Sequence, residues 1–160
     1  EFEEDLSFAE ICERASKEKI ASIVDCNDDC FFAPKSMIKA VQDYCRRTGQ
    51  QVPETPGETA RVIYRSLAEC YGQTVREIEK NTGKTYDSIH VIGGGANAAY
   101  LNRLTAQATG KTVYAGPGEA TAIGNIMAQM IKAGELAGLA AARKCVAESF
   151  EIQMFGPKNR

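Results

Sequence analysis

The sequence predicts an α/β fold that is rich in helices and built on a short parallel βαβ unit. Residues 89–92 and 112–115 are apolar runs of strand length. The segment between them repeats apolar residues at helical spacing and ends at Gly110, which is typical of a helix C-terminus. A strand, a helix and a second strand in this order give two parallel strands with a right-handed crossover.

Helices are predicted for most of the remaining chain, because apolar residues recur there at steps of three and four. Ser7 and Glu10 form the Ser-x-x-Glu pattern of a helix start. Gly49 and Gly134 each follow a periodic segment and are typical of helix ends. The predicted helices cover residues 6–18, 36–48, 57–81, 97–109, 119–133 and 136–147, and residues 151–160 are predicted to be a tail.

Two of these helices carry patterns that predict how they pack. In the helix over residues 119–133, Gly124 lies among alanines, and we expect this small surface to pack closely on a neighbouring helix rather than to contact a ligand. The longest helix has an apolar stripe that we expect to cross the core. That stripe consists of Ala60, Ile63, Leu67, Tyr71, Thr74 and Ile78.

The number of predicted strands is small for an α/β domain. Two parallel strands alone would leave sheet edges unpaired, and parallel sheets normally have more strands and cover on both faces. We therefore expect residues 1–160 to be a single partial domain. It would be the C-terminal part of an α/β fold whose first strands lie upstream in the sequence.

Composition excludes several classes of partner. The 160 residues are 44% hydrophobic and 25% charged, with a net charge of −2, which is ordinary for a globular protein. No basic stripe is present, so we do not expect nucleic acid as a partner. The apolar runs are too short to span a bilayer, and residues 1–5 lack the basic character of a signal peptide. We therefore expect a cytoplasmic protein without a membrane partner.

Metal binding and triad catalysis are not predicted. Cys26 and Cys30 are four residues apart, but a second close pair of Cys or His is absent. The acidic loop at residues 25–29 lacks the glycine and glutamate of a calcium-binding EF-hand. His90 is the one histidine and has no evident nucleophile to activate. We expect free thiols, a solvated turn, and no metal or catalytic residue.

The candidate site is the glycine turn after the first strand. Gly93, Gly94 and Gly95 permit a tight turn and a close backbone approach to a ligand. The helix that follows would place free N–H groups and its positive dipole end beside the turn. A nucleotide phosphate is therefore expected at Gly94, Gly95, Ala96 and Asn97, although three glycines can also serve only a tight turn. The spacing is neither a P-loop nor a dinucleotide-binding fingerprint.

Several motifs together resemble the C-terminal domain of the FGGY carbohydrate kinases. The resemblance extends over roughly residues 6–150. Its motifs are Ile89–Gly95, Leu101–Ala106, Gly110 and Ala115–Asn125, with further support from Asp25–Met37, Tyr44–Gly49, Val52–Glu58 and Ser66–Ala68.

The resemblance implies an actin-like, ribonuclease-H-like ATPase fold and a kinase activity. Such kinases transfer the γ-phosphoryl group of ATP, bound with Mg²⁺, to a sugar hydroxyl, and a ketose is the expected acceptor. Gly94, Gly95, Ala96 and Asn97 would form one wall of the nucleotide site. The catalytic aspartate, the sugar-binding residues and the Mg²⁺ ligands of such kinases come largely from the N-terminal domain and the interdomain cleft. We therefore expect that N-terminal domain as a partner and no kinase activity from this chain alone.

The sequence departs from the family pattern at two places. Ala98 follows Asn97 where relatives continue with a polar pair, so one side-chain contact to the nucleotide would be lost. Cys26, Cys30 and Ala33 replace residues that are more often Pro, Arg and Asn, and no site role is carried onto these positions.

Three alternatives remain open at this point. The chain could be a non-catalytic actin-like interaction module, or a domain of a kinase for another sugar or polyol such as xylulose or glycerol. It could also be an unrelated α/β protein that binds a phosphorylated ligand at the glycine turn.

Overall fold

Two units make up the chain in the computed structural model, Glu1–Thr82 and Gly83–Arg160. The structure describes residues 6–157. Whether the two units belong to a single partial domain, as the sequence suggested, stays a prediction.

The first unit is helical. Its first helix starts as predicted, because the Ser7 side chain accepts from the Glu10 amide at 3.3 Å while the Ser7 amide donates to the Glu10 carboxylate at 2.9 Å. The 3₁₀ turn Asp29–Phe31 precedes the second helix. The helices are α1 (Phe8–Lys17), α2 (Met37–Arg47) and α3 (Pro56–Thr82).

The core of the first unit forms where an extended segment, residues 18–24, lies against α2 and α3. Val24 is buried beside Val41 and Val62, and its amide donates to the Ser66 hydroxyl of α3 at 2.9 Å. The partly buried rings of Phe31 and Tyr44 pack against this core with their centroids 5.6 Å apart. The buried cluster consists of Ile20, Val24, Val41, Cys45 and Val62.

The prediction for the buried face of α3 is wrong in its second half. Tyr71 and Ile78 are 41% and 45% exposed, and Thr74 is exposed as well. Neighbouring segments instead approach the small residues of the helix: a Cβ on Gly57 would lie 3.0 Å from the Cβ of Arg14. The buried residues of α3 are Gly57, Thr59, Ala60, Val62, Ser66, Ala68 and Gly72.

The second unit contains the predicted βαβ core. Strands β1 (Ser88–Val91) and β2 (Thr112–Ala115) are parallel, with Ile89 opposite Val113. Helix α4 (Ala99–Thr109) connects them and ends at Gly110, whose φ is 69°. Helices α5 (Ala120–Ala133) and α6 (Leu139–Ser149) follow.

Several boundaries in the second unit differ from the sequence prediction, and three of the differences have a visible structural cause. Residues 151–160 were predicted as a tail, but Gln153–Phe155 form β3, antiparallel to β2, in a sheet of order β1-β2-β3. Helix α6 begins at Leu139 rather than residue 136, because the chain passes through Gly138 with a φ of 143°. Helix α4 begins at Ala99 rather than residue 97, because a 3₁₀ segment, Gly93–Asn97, comes first.

Small side chains dominate the interior of the second unit. Within residues 83–157, alanines account for four of the six buried hydrophobic residues, which are Ala96, Ala106, Val113, Ala115, Ile123 and Ala142. The expected close packing at Gly124 is wrong, since Gly124 is exposed and a Cβ there would meet no atom within 4 Å. Gly124 instead lines an open apolar groove of about 720 Å³ along α5 and α6.

None of the helices within residues 6–157 combines the length and the apolar composition that crossing a lipid bilayer requires.

Candidate functional site: the glycine turn after the first strand

The glycine turn lies where the carboxyl ends of β1 and β2 meet, the edge at which open α/β sheets bind ligands. Two turns are joined there. The Gly93 amide donates to the Pro117 carbonyl at 3.2 Å, and the Gly116 amide donates to the Val91 carbonyl at 2.9 Å. The turn that follows β1 is therefore fixed against the turn that follows β2.

The outer surface of the turn is open. Gly94, Gly95 and Asn97 are exposed. A Cβ built on Gly94 would have no heavy atom within 4 Å, whereas one on Gly95 would lie 3.3 Å from Val91 Cγ1. Gly93 has a φ of 71°, a conformation that disfavours other residues. A ligand can therefore approach the peptide backbone at Gly94 without displacing a side chain.

Ala96 differs from the other predicted site residues. Only 7% of its surface is exposed, so its methyl group faces the interior of the unit. The structure thus brings Gly94, Gly95 and Asn97 to one surface and places Ala96 beneath them. Whether Ala96 also contacts a ligand stays a prediction.

Asn102 holds the turn from below, a role that the sequence reasoning missed. Its side chain is 2% exposed, and its amide nitrogen donates to the carbonyl oxygens of Gly95 and Ala96, each at 3.2 Å. The signal in the sequence was a polar residue between Leu101 and Leu104. A buried amide needs hydrogen-bond partners, and the backbone of the turn supplies them.

The start of α4 follows directly after the glycine turn. Its N-cap residue is Ala98, and no side chain caps the helix there. The first N–H groups of a helix have no partner within the helix, and the helix dipole concentrates positive charge at this end. The uncapped terminus and the exposed glycines can together bind a phosphate through backbone groups alone.

His90 belongs to the sheet rather than to the turn. Its ring is stacked on Tyr114 of β2 with the centroids 5.2 Å apart and the planes 20° apart. The pair lies opposite in the β1–β2 register, and His90 is exposed. The imidazole therefore contributes a cross-strand aromatic contact.

In the acidic loop of the first unit, aspartate side chains accept hydrogen bonds from backbone amides of the same loop. Asp25 Oδ1 accepts from the Asn27 amide at 2.9 Å. Asp28 accepts from the Cys30 amide and from the Arg47 guanidinium, both at 2.9 Å. The bonds to Cys30, followed by the bond to Arg47, lower the pKa of Asp28 to about 2. Residues 6–157 contain no cluster of three or more His, Cys, Asp or Glu side chains suited to a metal ion.

Comparison with known proteins shows which protein family the sequence matches. The model of the C-terminal domain of the FGGY family of carbohydrate kinases matches residues 3–133. A rhamnulokinase of Bacillus subtilis (strain 168) is 46% identical over 156 residues, which is 97% of this chain and 32% of that protein.

Two further relatives match the chain with similar identity and coverage. A rhamnulokinase of Halalkalibacterium halodurans is 46% identical over 154 residues, covering 96% of this chain and 33% of the relative. One of Bacteroides thetaiotaomicron is 40% identical over 156 residues, covering 97% and 32%. The chain thus spans about one third of the length of the curated relatives it matches.

Proposed function

Because the chain belongs to the FGGY family of carbohydrate kinases, with residues 3–133 matching its C-terminal domain, we propose that it forms the nucleotide-binding wall of a sugar kinase. The helix-rich fold with a parallel β1–β2 pair is consistent with the C-terminal part of an actin-like domain in that family. The observation that carries the proposal is the open backbone at Gly94 beside an uncapped helix start.

The proposed reaction is the transfer of the γ-phosphoryl group of ATP to L-rhamnulose, which yields L-rhamnulose 1-phosphate. The substrate is proposed from the relatives, which carry the name rhamnulokinase at 39–46% identity. Mg²⁺ would be held by the nucleotide phosphates and would neutralise charge during transfer. Both substrates and a cytoplasmic location belong to this proposal.

The chain's own residues would bind and orient the nucleotide. The exposed backbone at Gly94 and Gly95 would lie against the nucleotide, and the α4 dipole would favour its negative charge. The exposed Asn97 side chain could donate a further hydrogen bond. Asn102 would act as a positioning residue, since it fixes the carbonyls of Gly95 and Ala96.

The remaining machinery is proposed to lie outside this chain. Phosphoryl transfer needs an in-line acceptor, a group that takes the hydroxyl proton and metal-neutralised phosphates. We assign none of these to a residue here, and we propose that an N-terminal domain supplies them. The 160-residue chain alone should then show no sugar-dependent turnover of ATP.

The test uses the complete protein that contains this domain. We expect ATP-dependent phosphorylation of L-rhamnulose in preference to D-xylulose and glycerol. Gly94→Val should raise the KM for ATP about tenfold, a loss of roughly 1.4 kcal/mol, because the new side chain projects into open space where the nucleotide would lie. The fold should persist, since Gly94 has no positive φ and a Cβ added to it would have no heavy atom within 4 Å.

Ala133→Val is the matched control, because it introduces the same side chain at an exposed position at the C-terminal end of α5, outside the groove that Gly124 lines. It should leave the KM for ATP unchanged. Nucleotide binding without phosphorylation of any sugar would favour a non-catalytic module. An unchanged KM in Gly94→Val would remove the glycine turn from the nucleotide site.

A further inference from the structure

Residues 24–27 run along one face of α3 and are attached to it at two points. The Val24 amide donates to the Ser66 hydroxyl at 2.9 Å, and the Asn27 side-chain amide lies 3.8 Å from the Cys70 sulfur, within hydrogen-bond range for sulfur. Ser66 and Cys70 are four residues apart and thus lie on the same helix face. The position of the segment against α3 is therefore fixed on both sides of Cys26.

Cys26 and Cys70 share a cavity of about 420 Å³, which is mostly polar and opens to solvent. Both are free and partly buried thiols, so a small reagent can reach them. Burial raises the pKa of Cys26, and the neighbouring Cys70 and Asp25 raise it further.

We propose that Cys26 and Cys70 form a thiol modification site, at which a small disulfide such as oxidised glutathione produces a reversible Cys26–Cys70 disulfide. The bond would join the segment that follows Val24 directly to α3. No established role of a sugar kinase domain requires it, and it is independent of the nucleotide proposal.

The chemistry is two successive thiol–disulfide exchanges. The thiolate of one cysteine attacks a sulfur of the small disulfide, so that a mixed disulfide forms and one small thiolate leaves. The thiolate of the second cysteine then attacks the protein sulfur of the mixed disulfide and displaces the second small thiolate. Two protein thiols are oxidised, one small disulfide is reduced, and the two protons end on the released thiols.

The other nearby thiols are less suited to this pairing. Cys30 is exposed and lies in the 3₁₀ turn Asp29–Phe31, and it does not line the cavity that Cys26 and Cys70 share. Cys45 is fully buried in the core beside Val41. Cys30, four residues further along the chain, is therefore the main competitor of Cys70 for a disulfide with Cys26. The shared cavity favours Cys70.

The test treats the folded 160-residue chain with oxidised glutathione and maps its disulfides by peptide mass spectrometry. We expect an intramolecular Cys26–Cys70 bond that dithiothreitol reverses. The bond closes a long loop, so it should raise the midpoint of thermal unfolding by roughly 10 °C. Cys70→Ser should abolish both effects.

Cys30→Ser and Cys145→Ser serve as controls and should retain both the bond and the shift. A Cys26–Cys30 bond, an intermolecular bond only, or free Cys26 and Cys70 after oxidation would each overturn the proposal. A Cys26–Cys70 bond that forms only after unfolding in urea would overturn it as well, since the geometry of the native state would then have no part in the reaction.

Discussion

The side-chain amide of Asn102 donates to the carbonyl oxygen of Gly95 at 3.2 Å, and so links the first turn of α4 to the exposed glycine turn. The same nitrogen reaches the Ala96 carbonyl. This buried side chain thus fixes the backbone that we propose as the nucleotide wall together with the backbone bond from Gly93 to Pro117.

Replacing Asn102 with alanine should destabilise the second unit. The change removes both hydrogen bonds. The Gly95 carbonyl keeps the Ala98 amide as a donor, but the Ala96 carbonyl loses a buried partner, which costs about 1–3 kcal/mol. Urea unfolding followed by circular dichroism measures the loss. Asn97→Ala is the control at an exposed position of the same turn and should change the free energy of unfolding little. Equal stabilities of the two variants would contradict the role of Asn102.

Gly116 is expected to tolerate no side chain. Its φ is 129°, and a Cβ there would lie 2.8 Å from the Glu151 carbonyl oxygen. Gly116→Ala should therefore cost at least about 1–3 kcal/mol through backbone strain and the clash, and hydrogen exchange should show β3 losing protection. Gly118→Ala, two residues further on, meets no atom within 4 Å and should be nearly neutral. A neutral Gly116→Ala would mean that the approach of residue 151 is not rigid.

Ser66 should contribute to the stability of the first unit although its side chain is small. Its buried hydroxyl donates to the Val62 carbonyl at 2.6 Å and accepts from the Val24 amide. Ser66→Ala leaves that amide unsatisfied, and we expect a loss of about 1–3 kcal/mol in thermal unfolding. In Thr74→Ala the hydroxyl that is lost bonds only within α3 and is exposed, so the loss should be smaller. A similar loss in both variants would contradict this explanation.

Asp28 should make the first unit sensitive to acid. Its carboxylate has a pKa of about 2 in the folded chain and an ordinary value near 3.9 when unfolded. Its stabilising effect is then complete above pH ~4 and is lost as the pH falls toward about 2. Asp28→Asn should flatten the dependence of the unfolding midpoint on pH across this window. An identical pH profile for the variant and the parent chain would contradict the prediction.

The parallel core could be predicted because both of its signals are local. The apolar runs at residues 89–92 and 112–115 and the stop at Gly110 specify two strands and a helix without reference to distant residues, and the structure confirms them. Strand β3 could not be predicted in this way. Its three residues are too short to show a periodicity, and Met154 is 67% exposed. It becomes a strand because its backbone pairs with β2.

Contacts with segments that are distant in sequence also explain why the buried face of α3 was predicted wrongly. A hydropathy pattern favours Tyr71 and Ile78 as buried residues. The buried residues of α3 are mostly small, because other segments come close to the helix, as Arg14 does at Gly57 and Val24 at Ser66. At the candidate site, the glycines were visible in the sequence, whereas the burial of Ala96 and the bonds of Asn102 depend on how α4 packs. The ligand-binding roles of Gly94, Gly95, Ala96 and Asn97 stay predictions.

The predominance of alanine among the buried residues of the second unit has a thermal consequence. Unfolding hydrates little hydrocarbon when the interior is made of methyl groups, so the heat-capacity increment of this unit should fall below the usual value of about 12–15 cal/mol/K per residue. Its stability curve should then be flatter than that of the first unit, whose valines and isoleucine are buried together. Cooling and warming would therefore change the relative stability of the two halves of the chain.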